Sequence, residues 1–216
     1  MPTRVLIVDD HPAVREGLAV RISSQPDLEV CGEAADLADA MKVLSTARPD
    51  VVVVDIQLKT GDGLELVRRI RAKDESIRML VWSVYPDKLY AKRALHAGAL
   101  GYINKEHTTG RIVEAIRRVR DGKVYLSDEM SELLLSQAVG GTPPPPGNSP
   151  FDALSDRELE VFRLIGEGLS AGQLAERLHL SRHTIDTHRQ RIKEKLQLAN
   201  AAELAQAATR WVLEGD

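Results

Sequence analysis

Four consecutive prolines, Pro143 to Pro146, stand in the run GGTPPPPGNSP that spans residues 140–150 of this 216-residue chain. Proline fixes φ and lacks a backbone N–H, so neither a helix nor a strand ladder passes through such a run, and the favoured form is an extended polyproline segment. With glycine, serine and asparagine on its flanks, the run reads as an interdomain linker. The chain therefore divides into residues 1–125, a linker over 126–150 that is first helical (SDEMSELLLSQAV, Ser127 to Val139) and then Pro-rich, and residues 151–216. A chain of this length accommodates two small domains.

The first part alternates short apolar runs with amphipathic ones. Val5–Val8, Val30–Glu33, Val51–Asp55, Met79–Ser83 and Gly101–Asn104 read as strands. The β-branched run Val51–Val54 suits a strand covered on both faces. Helical spacing lies between them, as in Val14, Leu18 and Ile22, in Leu64, Val67 and Ile70, and in Ile112, Ala115, Ile116 and Val119. Five βα repeats predict an α/β fold, a five-stranded parallel sheet with helices on both faces.

In such a sheet ligands gather at the carboxyl ends of the strands. The residues expected there are Asp9-Asp10 after the first strand, Asp55 after the third, Ser83 on the fourth, and Asn104-Lys105 after the fifth. A lone aspartate at a strand end usually caps a turn. Three carboxylates, a hydroxyl and an ammonium drawn from four segments are not explained by capping. Crowded carboxylates need neutralising, and a hard divalent cation with oxygen ligands, Mg²⁺, does this. A carboxylate can also accept a phosphoryl group as an aspartyl phosphate. In that chemistry Mg²⁺ would hold Asp55 and one phosphoryl oxygen, Lys105 a second and Ser83 a third, so that catalysis is positioning plus charge stabilisation. Ser83 would also report the new phosphate by moving towards it. His11 reads as a helix-start residue.

Composition narrows the alternatives. One cysteine, Cys31, excludes an internal disulfide framework and a Cys-rich zinc module. Aromatic residues make up 4%, too few for a base-stacking platform. No apolar run approaches the ~20 residues of a membrane helix, and the first residues lack the pattern of a secretory signal. A cytoplasmic protein is expected, with no membrane partner. The formal net charge of −3 is made up of +2 over residues 1–125, −3 over 126–150 and −2 over 151–216, so no domain is strongly basic. Six basic residues nevertheless fall between Arg177 and Lys195 against two acidic ones, Asp186 and Glu194, and clustering outweighs the sum for nucleic-acid contact.

Residues 151–216 show no strand signal. Ser155-x-x-Glu158 and Ser170-x-x-Gln173 are capping boxes. Ser181 caps a third helix whose Ile185, Ile192 and Leu196 share one face, and Ala201 to Val212 form a fourth. Gly168-Leu-Ser170 and His179-Leu-Ser181 are tight breaks, which suits an all-α, four-helix domain containing a helix-turn-helix. At about 100° per residue, His183, Thr187, Gln190 and Glu194 lie opposite the apolar face, flanked by Arg191 and Asp186. Thr187 and Gln190 can hydrogen-bond base edges in a major groove, while Arg182, Arg189, Lys193 and Lys195 can reach phosphates. His188 lies near the apolar arc and reads as a packing residue.

The residues quoted above carry a resemblance. Residues 1–125, with VDDHP at Val8–Pro12, VVVVD ending at Asp55, Ser83 and Lys105, resemble a receiver domain of two-component signalling. The resemblance implies a flavodoxin-like (βα)5 fold and Asp55 as phosphoacceptor. It implies Mg²⁺ held by the side chains of Asp10 and Asp55, by the backbone carbonyl of Gln57, and through water by Asp9. It makes Tyr102 the aromatic switch residue beside Ser83. The chain departs from the family in the loop after the phosphoacceptor, where Lys59-Thr60 precede Gly61 in place of the usual Pro-Gly. LSDRELEVFRLIGEGLS and LSRHTIDTHRQRIKEKL resemble the LuxR/NarL-type DNA-binding module across nearly all of residues 152–205. There Thr184, Ile185, His188, Ile192, Lys195 and Leu196 fall on characteristic positions. The DNA-contact set expected from both arguments is Arg182, His183, Thr184, Thr187, Arg189, Gln190, Arg191, Lys193 and Lys195.

Together the halves resemble a NarL/FixJ-type response regulator. That implies phosphotransfer from a sensor histidine kinase to Asp55, control of sequence-specific binding to double-stranded DNA, a homodimer when phosphorylated or DNA-bound, and no enzymatic role beyond self-phosphorylation and autodephosphorylation. Two rivals stand beside it. An aspartate-based phosphohydrolase would place an acid where Gln57 stands, and Gln57 has no proton to give. A vestigial receiver on a phosphorylation-independent DNA-binding protein would not need the complete acidic set.

Overall fold

The computed structural model describes residues 1–58, 60–105, 110–139, 150–178 and 180–215. The Pro-rich run at 140–149, Lys59 and His179, on which parts of the sequence reading fall, lie outside the described residues. The described chain forms two compact units, residues 1–134 and 135–216.

The first unit alternates strands and helices as the apolar spacing predicts. Its strands are β1 (Thr3–Val8), β2 (Leu28–Ala34), β3 (Val51–Val54), β4 (Arg78–Ser83) and β5 (Gly101–Asn104). Its helices are α1 (Pro12–Ser23), α2 (Leu37–Ala47), α3 (Gly63–Lys73), α4 (Asp87–Ala97) and α5 (Ile112–Arg120). The strands pair in parallel in the order β2-β1-β3-β4-β5. Every residue of β3 is buried, which accounts for its four valines: both faces need apolar, β-branched side chains.

Side chains alternate across the sheet. Val5 and Ile7 of β1, Val51 and Val53 of β3, Leu80 and Trp82 of β4 and Ile103 of β5 pack with Leu18 and Ile22 of α1 and with Ile112, Ala115, Ile116 and Val119 of α5. The opposite face carries Leu6, Val8, Val52, Val54, Val81 and Tyr102, all buried, on the side covered by α2, α3 and α4. Local chemistry sets the helix starts. Asp36 caps α2 by accepting from the Asp39 N–H, and Asp62 caps α3 by accepting from Leu64 and Glu65. Helix α1 begins with Pro12 in its first turn, and His11 occupies the cap position without a side-chain capping bond.

The first unit runs past residue 125, where composition placed its end. Tyr125 extends the sheet edge, donating its N–H to Leu100 and accepting from the N–H of Tyr102. The helix after it, α6 (Asp128–Val139), is capped by Ser127, whose hydroxyl accepts from Met130. The division between the units falls inside α6, so only part of that helix belongs to the second unit.

Beyond α6 the second unit contains a 3₁₀ turn at Pro150–Ala153, α7 (Asp156–Gly166), α8 (Ala171–Arg177), α9 (Arg182–Leu196) and α10 (Ala201–Gly215). Both predicted capping boxes form, at Ser155/Glu158 and at Ser170/Gln173, and Ser181 caps α9. Phe162 is fully buried and meets Phe151 and Trp211 at ring-centroid distances of 5.3 and 5.7 Å. Helix α10 lies so close to α7 that a Cβ on Gly166 would stand 2.4 Å from the Ala208 carbonyl oxygen, which is why glycine occupies that position.

Ile116 is fully buried between α5 and the sheet. Ile116→Ala leaves a cavity there and is expected to destabilise the first unit by about 2–5 kcal/mol. Urea denaturation followed by far-ultraviolet circular dichroism measures the change.

Candidate phosphoacceptor site and helix-turn-helix surface

Strand order makes the first site. The chain winds outward from β1 in one direction to β2 and in the other through β3, β4 and β5, so β1 and β3 flank the point where the winding reverses. Val8 pairs with Val54, and the Asp55 N–H donates to the Val8 carbonyl at 2.8 Å. Asp9 and Asp55 therefore leave adjacent strands at the same level. Ser83 pairs with Asn104, and the Lys105 N–H donates to the Ser83 carbonyl at 2.8 Å.

The side chains converge as this register requires. Lys105 Nζ lies 2.5 Å from Asp9 Oδ2 and 2.5 Å from Asp55 Oδ2. Asp9, Asp10, His11 and Asp55 each offer a ligand atom within 4.8 Å of the others. Asp9 is anchored further by its Oδ1, which accepts from the His11 N–H at 2.9 Å, and Arg15 donates to its carbonyl at 2.6 Å. Asp10 Oδ1 is buried and accepts no well-aligned hydrogen bond, although His11 Nδ1 stands 2.7 Å away. His11 was expected only as a helix-start residue. Its place beside the acidic cluster comes from the turn into α1, which sequence spacing does not reveal. Gln57 donates its backbone N–H to Asp55 Oδ1 at 3.3 Å.

Electrostatics follow from burial and crowding. The Asp55 side chain is 3% exposed. Burial pushes its pKa up from 3.8; Lys105 pulls the other way, Asp9 adds to the rise, and the net shift is upward. Burial also works against the charge on Lys105, but Asp55 and Asp9 outweigh it and hold the ammonium above its ordinary value of 10.5. One cation is thus shared by two buried acids with a third, Asp10, alongside. Such a donor set of carboxylate oxygens with an unsatisfied Asp10 oxygen is suited to a hard divalent cation.

Three neighbours shape the pocket. The Ser83 hydroxyl is buried, lies close enough to Asp55 to favour its ionised form, and has no well-aligned hydrogen bond among the described residues. Tyr102 is fully buried and its hydroxyl donates to the Tyr85 carbonyl at 2.8 Å, a contact Asn104 repeats at 3.0 Å. Burial, then the nearby Asp87, raises the Tyr102 pKa well above 10.0, so the phenol remains a donor. Below Asp55, a Cβ on Gly63 would stand 1.9 Å from the Asp55 carbonyl oxygen, so the start of α3 approaches the acid only because residue 63 is glycine. Thr60 is exposed and Gly61 takes φ 96°, a left-handed conformation that glycine tolerates.

On α9 the predicted faces hold. Ile185 and Ile192 are buried, while Arg182, His183, Asp186, Gln190 and Arg191 are exposed. Gln190 donates to Glu194 at 2.8 Å, and the Thr187 hydroxyl donates to the His183 carbonyl at 2.9 Å. Arg189 lies 3.7 Å from Asp186. Lys193 is half-buried, and the Thr184 hydroxyl pairs with Ser181 at the cap. His188 is half-buried against the core; burial, with Arg157 next, lowers its pKa, in keeping with packing.

Lys195, expected as a phosphate contact, is exposed and also engaged within its own unit. Its Nζ donates to Glu158 Oε2 at 2.6 Å, and Glu158 is the capping-box residue of α7. Burial opposes the Glu158 charge, but Lys195 and Ser155 outweigh it and hold the pKa below 4.5. Arg157 also donates to the Leu178 carbonyl at 2.9 Å. The first contact sets α9 against α7, and the second sets α8 against α7. No spacing along α9 signals that one of its lysines is turned to another helix.

Comparisons with known proteins agree with both halves. Residues 5–117 match the response regulator receiver domain family. Residues 152–208 match the luxR family of bacterial regulatory proteins. The chain is 34% identical over 207 residues to the response regulator GacA of Pseudomonas aeruginosa, covering 96% of this chain and 95% of that one. It is 32% identical over 206 residues to the DNA-binding transcriptional activator DevR/DosR of Mycobacterium tuberculosis, covering 95% and 94%. A crystal structure of a LuxR-family two-component response regulator from Aurantimonas sp. SI85-9A1 superposes with a TM-score of 0.60 at 33% identity, covering 64% of this chain and 99% of that one.

Because Asp55 is buried and its pKa is raised on folding, its proton is held more tightly in the folded than in the unfolded state. The metal-free protein is therefore expected to lose stability as pH rises from the unfolded value near 3.8 through the raised folded value. Asp55→Asn should remove that slope and raise the denaturation midpoint at neutral pH. Urea titrations at several pH values in the presence of a chelator measure both effects.

Proposed function

The chain belongs to the response regulators that join a receiver domain to a LuxR-type DNA-binding domain, and we propose that it works by accepting a phosphoryl group on Asp55 and thereby controlling its own binding to DNA. The observation that carries this is the cluster at the β1/β3 switch point, where Lys105 is shared between Asp9 and Asp55 beside the buried Ser83 hydroxyl.

In this reading an Asp55 carboxylate oxygen attacks the phosphorus of a sensor histidine kinase's phosphohistidine. The new O–P bond forms as the N–P bond breaks, and the departing imidazole keeps the electron pair. Asp10 and Asp55, with the Gln57 carbonyl and Asp9, would hold Mg²⁺, which would supply charge neutralisation for the phosphoryl oxygens. Lys105 gives up Asp55, whose carboxylate has lost its charge, and donates to a phosphoryl oxygen instead. Ser83 has a donor to offer a second oxygen. Its movement, with the Tyr102 and Asn104 bonds to Tyr85, is the route by which the β4–α4 segment takes up a second arrangement.

The same chemistry argues against a phosphohydrolase, because Gln57 cannot act as a general acid. It makes the chain a signalling protein whose only reaction is on itself. The proposal places it in the cytoplasm. Its α9 enters a major groove, where Thr187, Gln190 and His183 face bases and Arg182, Arg189, Arg191 and Lys193 face phosphates. A formal net charge of −3 supplies little nonspecific attraction, so useful affinity comes from a dimer on paired half-sites.

Incubation of the full-length protein with acetyl phosphate and Mg²⁺ should add one phosphoryl mass, absent in Asp55→Ala. No mass gain in the unsubstituted protein would defeat the assignment. On DNA, Gln190→Ala or Thr187→Ala should change the sequence preference. Lys193→Ala should weaken all sites evenly and reduce the salt slope by about 1. Lys195→Ala should instead cost stability, because the buried Glu158 loses its cationic partner and keeps only its capping contact to Ser155. Binding to randomised duplexes at several salt concentrations separates the three classes.

A further inference from the structure

Lys105 is held from two sides. Two carboxylates take its N–H donors, and the indole ring of Trp82 lies on the other side, its centroid 5.2 Å from Nζ. Trp82 stands in β4 directly before Ser83 and belongs to the cluster packed against α1 and α5. It also lines, together with Lys105, a largely apolar groove of about 610 Å³ whose other walls include Val14, Gly17 and Ile112. The indole N–H is buried, and no hydrogen-bond partner exists for it among the described residues.

That unsatisfied N–H is informative. Leaving a buried donor unpaired is costly, and a phenylalanine or leucine in the same cluster would avoid the cost. What tryptophan offers beyond those residues is the strongest π face for a cation. We propose that Trp82 is a positioning residue for Lys105: its ring holds the ammonium over the phosphoacceptor pocket and ties the lysine to the groove between α1 and α5. The inference rests on the reading of Asp55 as the phosphoacceptor.

The physical reason is the change of partners that phosphorylation imposes. Lys105 must release the Asp55 carboxylate and turn to a phosphoryl oxygen. A hydrogen-bonding neighbour would fix the direction of the ammonium and oppose the turn. Attraction to the ring face depends little on how the ammonium is rotated, so it keeps Nζ in place while its N–H bonds are re-aimed. Because the same indole forms part of the groove wall, any displacement of Lys105 is felt at the α1–α5 surface.

The test uses the full-length protein with tryptophan replaced biosynthetically by mono-, di- and trifluorinated analogues, which weaken the ring quadrupole at nearly constant volume. The chain contains two tryptophans, so a Trp82→Phe background, in which the analogues enter only at Trp211, serves as the control. The rate of phosphoryl uptake from acetyl phosphate at saturating Mg²⁺ should fall stepwise with fluorination, by roughly two- to fivefold across the series. It should stay flat in the control. A flat series in the unsubstituted background, or an equal fall in both, overturns the inference. Absence of any uptake in the unfluorinated protein defeats the Asp55 assignment and the inference with it, so the two failures are distinct. A second measurement needs no turnover: in metal-free protein the Lys105 ε-methylene resonances should carry an upfield ring-current shift that Trp82→Leu abolishes. Resonances unmoved by that change overturn the contact itself.

Discussion

The pairing of β1 with β3 is the constraint on which the first unit's chemistry depends. With Val8 opposite Val54, the next residues along each strand are Asp9 and Asp55, delivered side by side where apolar strands end and water begins. A slip by one residue would turn either acid to the other face of the sheet, because side chains alternate. The valines that fix this register are buried between two helical layers, so the hydrophobic core holds the carboxylates at a distance that their own repulsion resists.

That repulsion is not fully relieved within the protein. One ammonium serves two acids, Asp55 is pushed towards protonation by its burial, and an Asp10 oxygen lacks a well-aligned donor. A site left short of positive charge is poised to gain from a cation and from a transferable group whose oxygens need Lys105. The same packing that stabilises the sheet therefore stores the electrostatic demand on which the proposed phosphoryl transfer draws.

The second unit solves a different problem with similar means. Helix α9 has to present a polar face while being held by a small core. Ile185 and Ile192 bury one side, and the Lys195–Glu158 contact fixes its orientation against α7. Glu158 takes part in both the α7 cap and the Lys195 pair, so the start of one helix and the placement of another share one carboxylate.

Periodicity and end signals in the chain were enough to determine the elements. Strand runs, the Ser155 and Ser170 capping boxes and the candidate acids Asp9, Asp10 and Asp55 are all local features, and local features follow from backbone sterics and side-chain period. The parallel sheet itself was legible because β3 is apolar at every position. Long-range geometry was not. That Lys195 meets Glu158, that Trp82 backs Lys105, and that the first unit continues through Tyr125 into α6 all depend on residues far apart in the chain meeting at particular angles. Spacing along one element states which residues share a face; only the packing of several elements decides what that face meets.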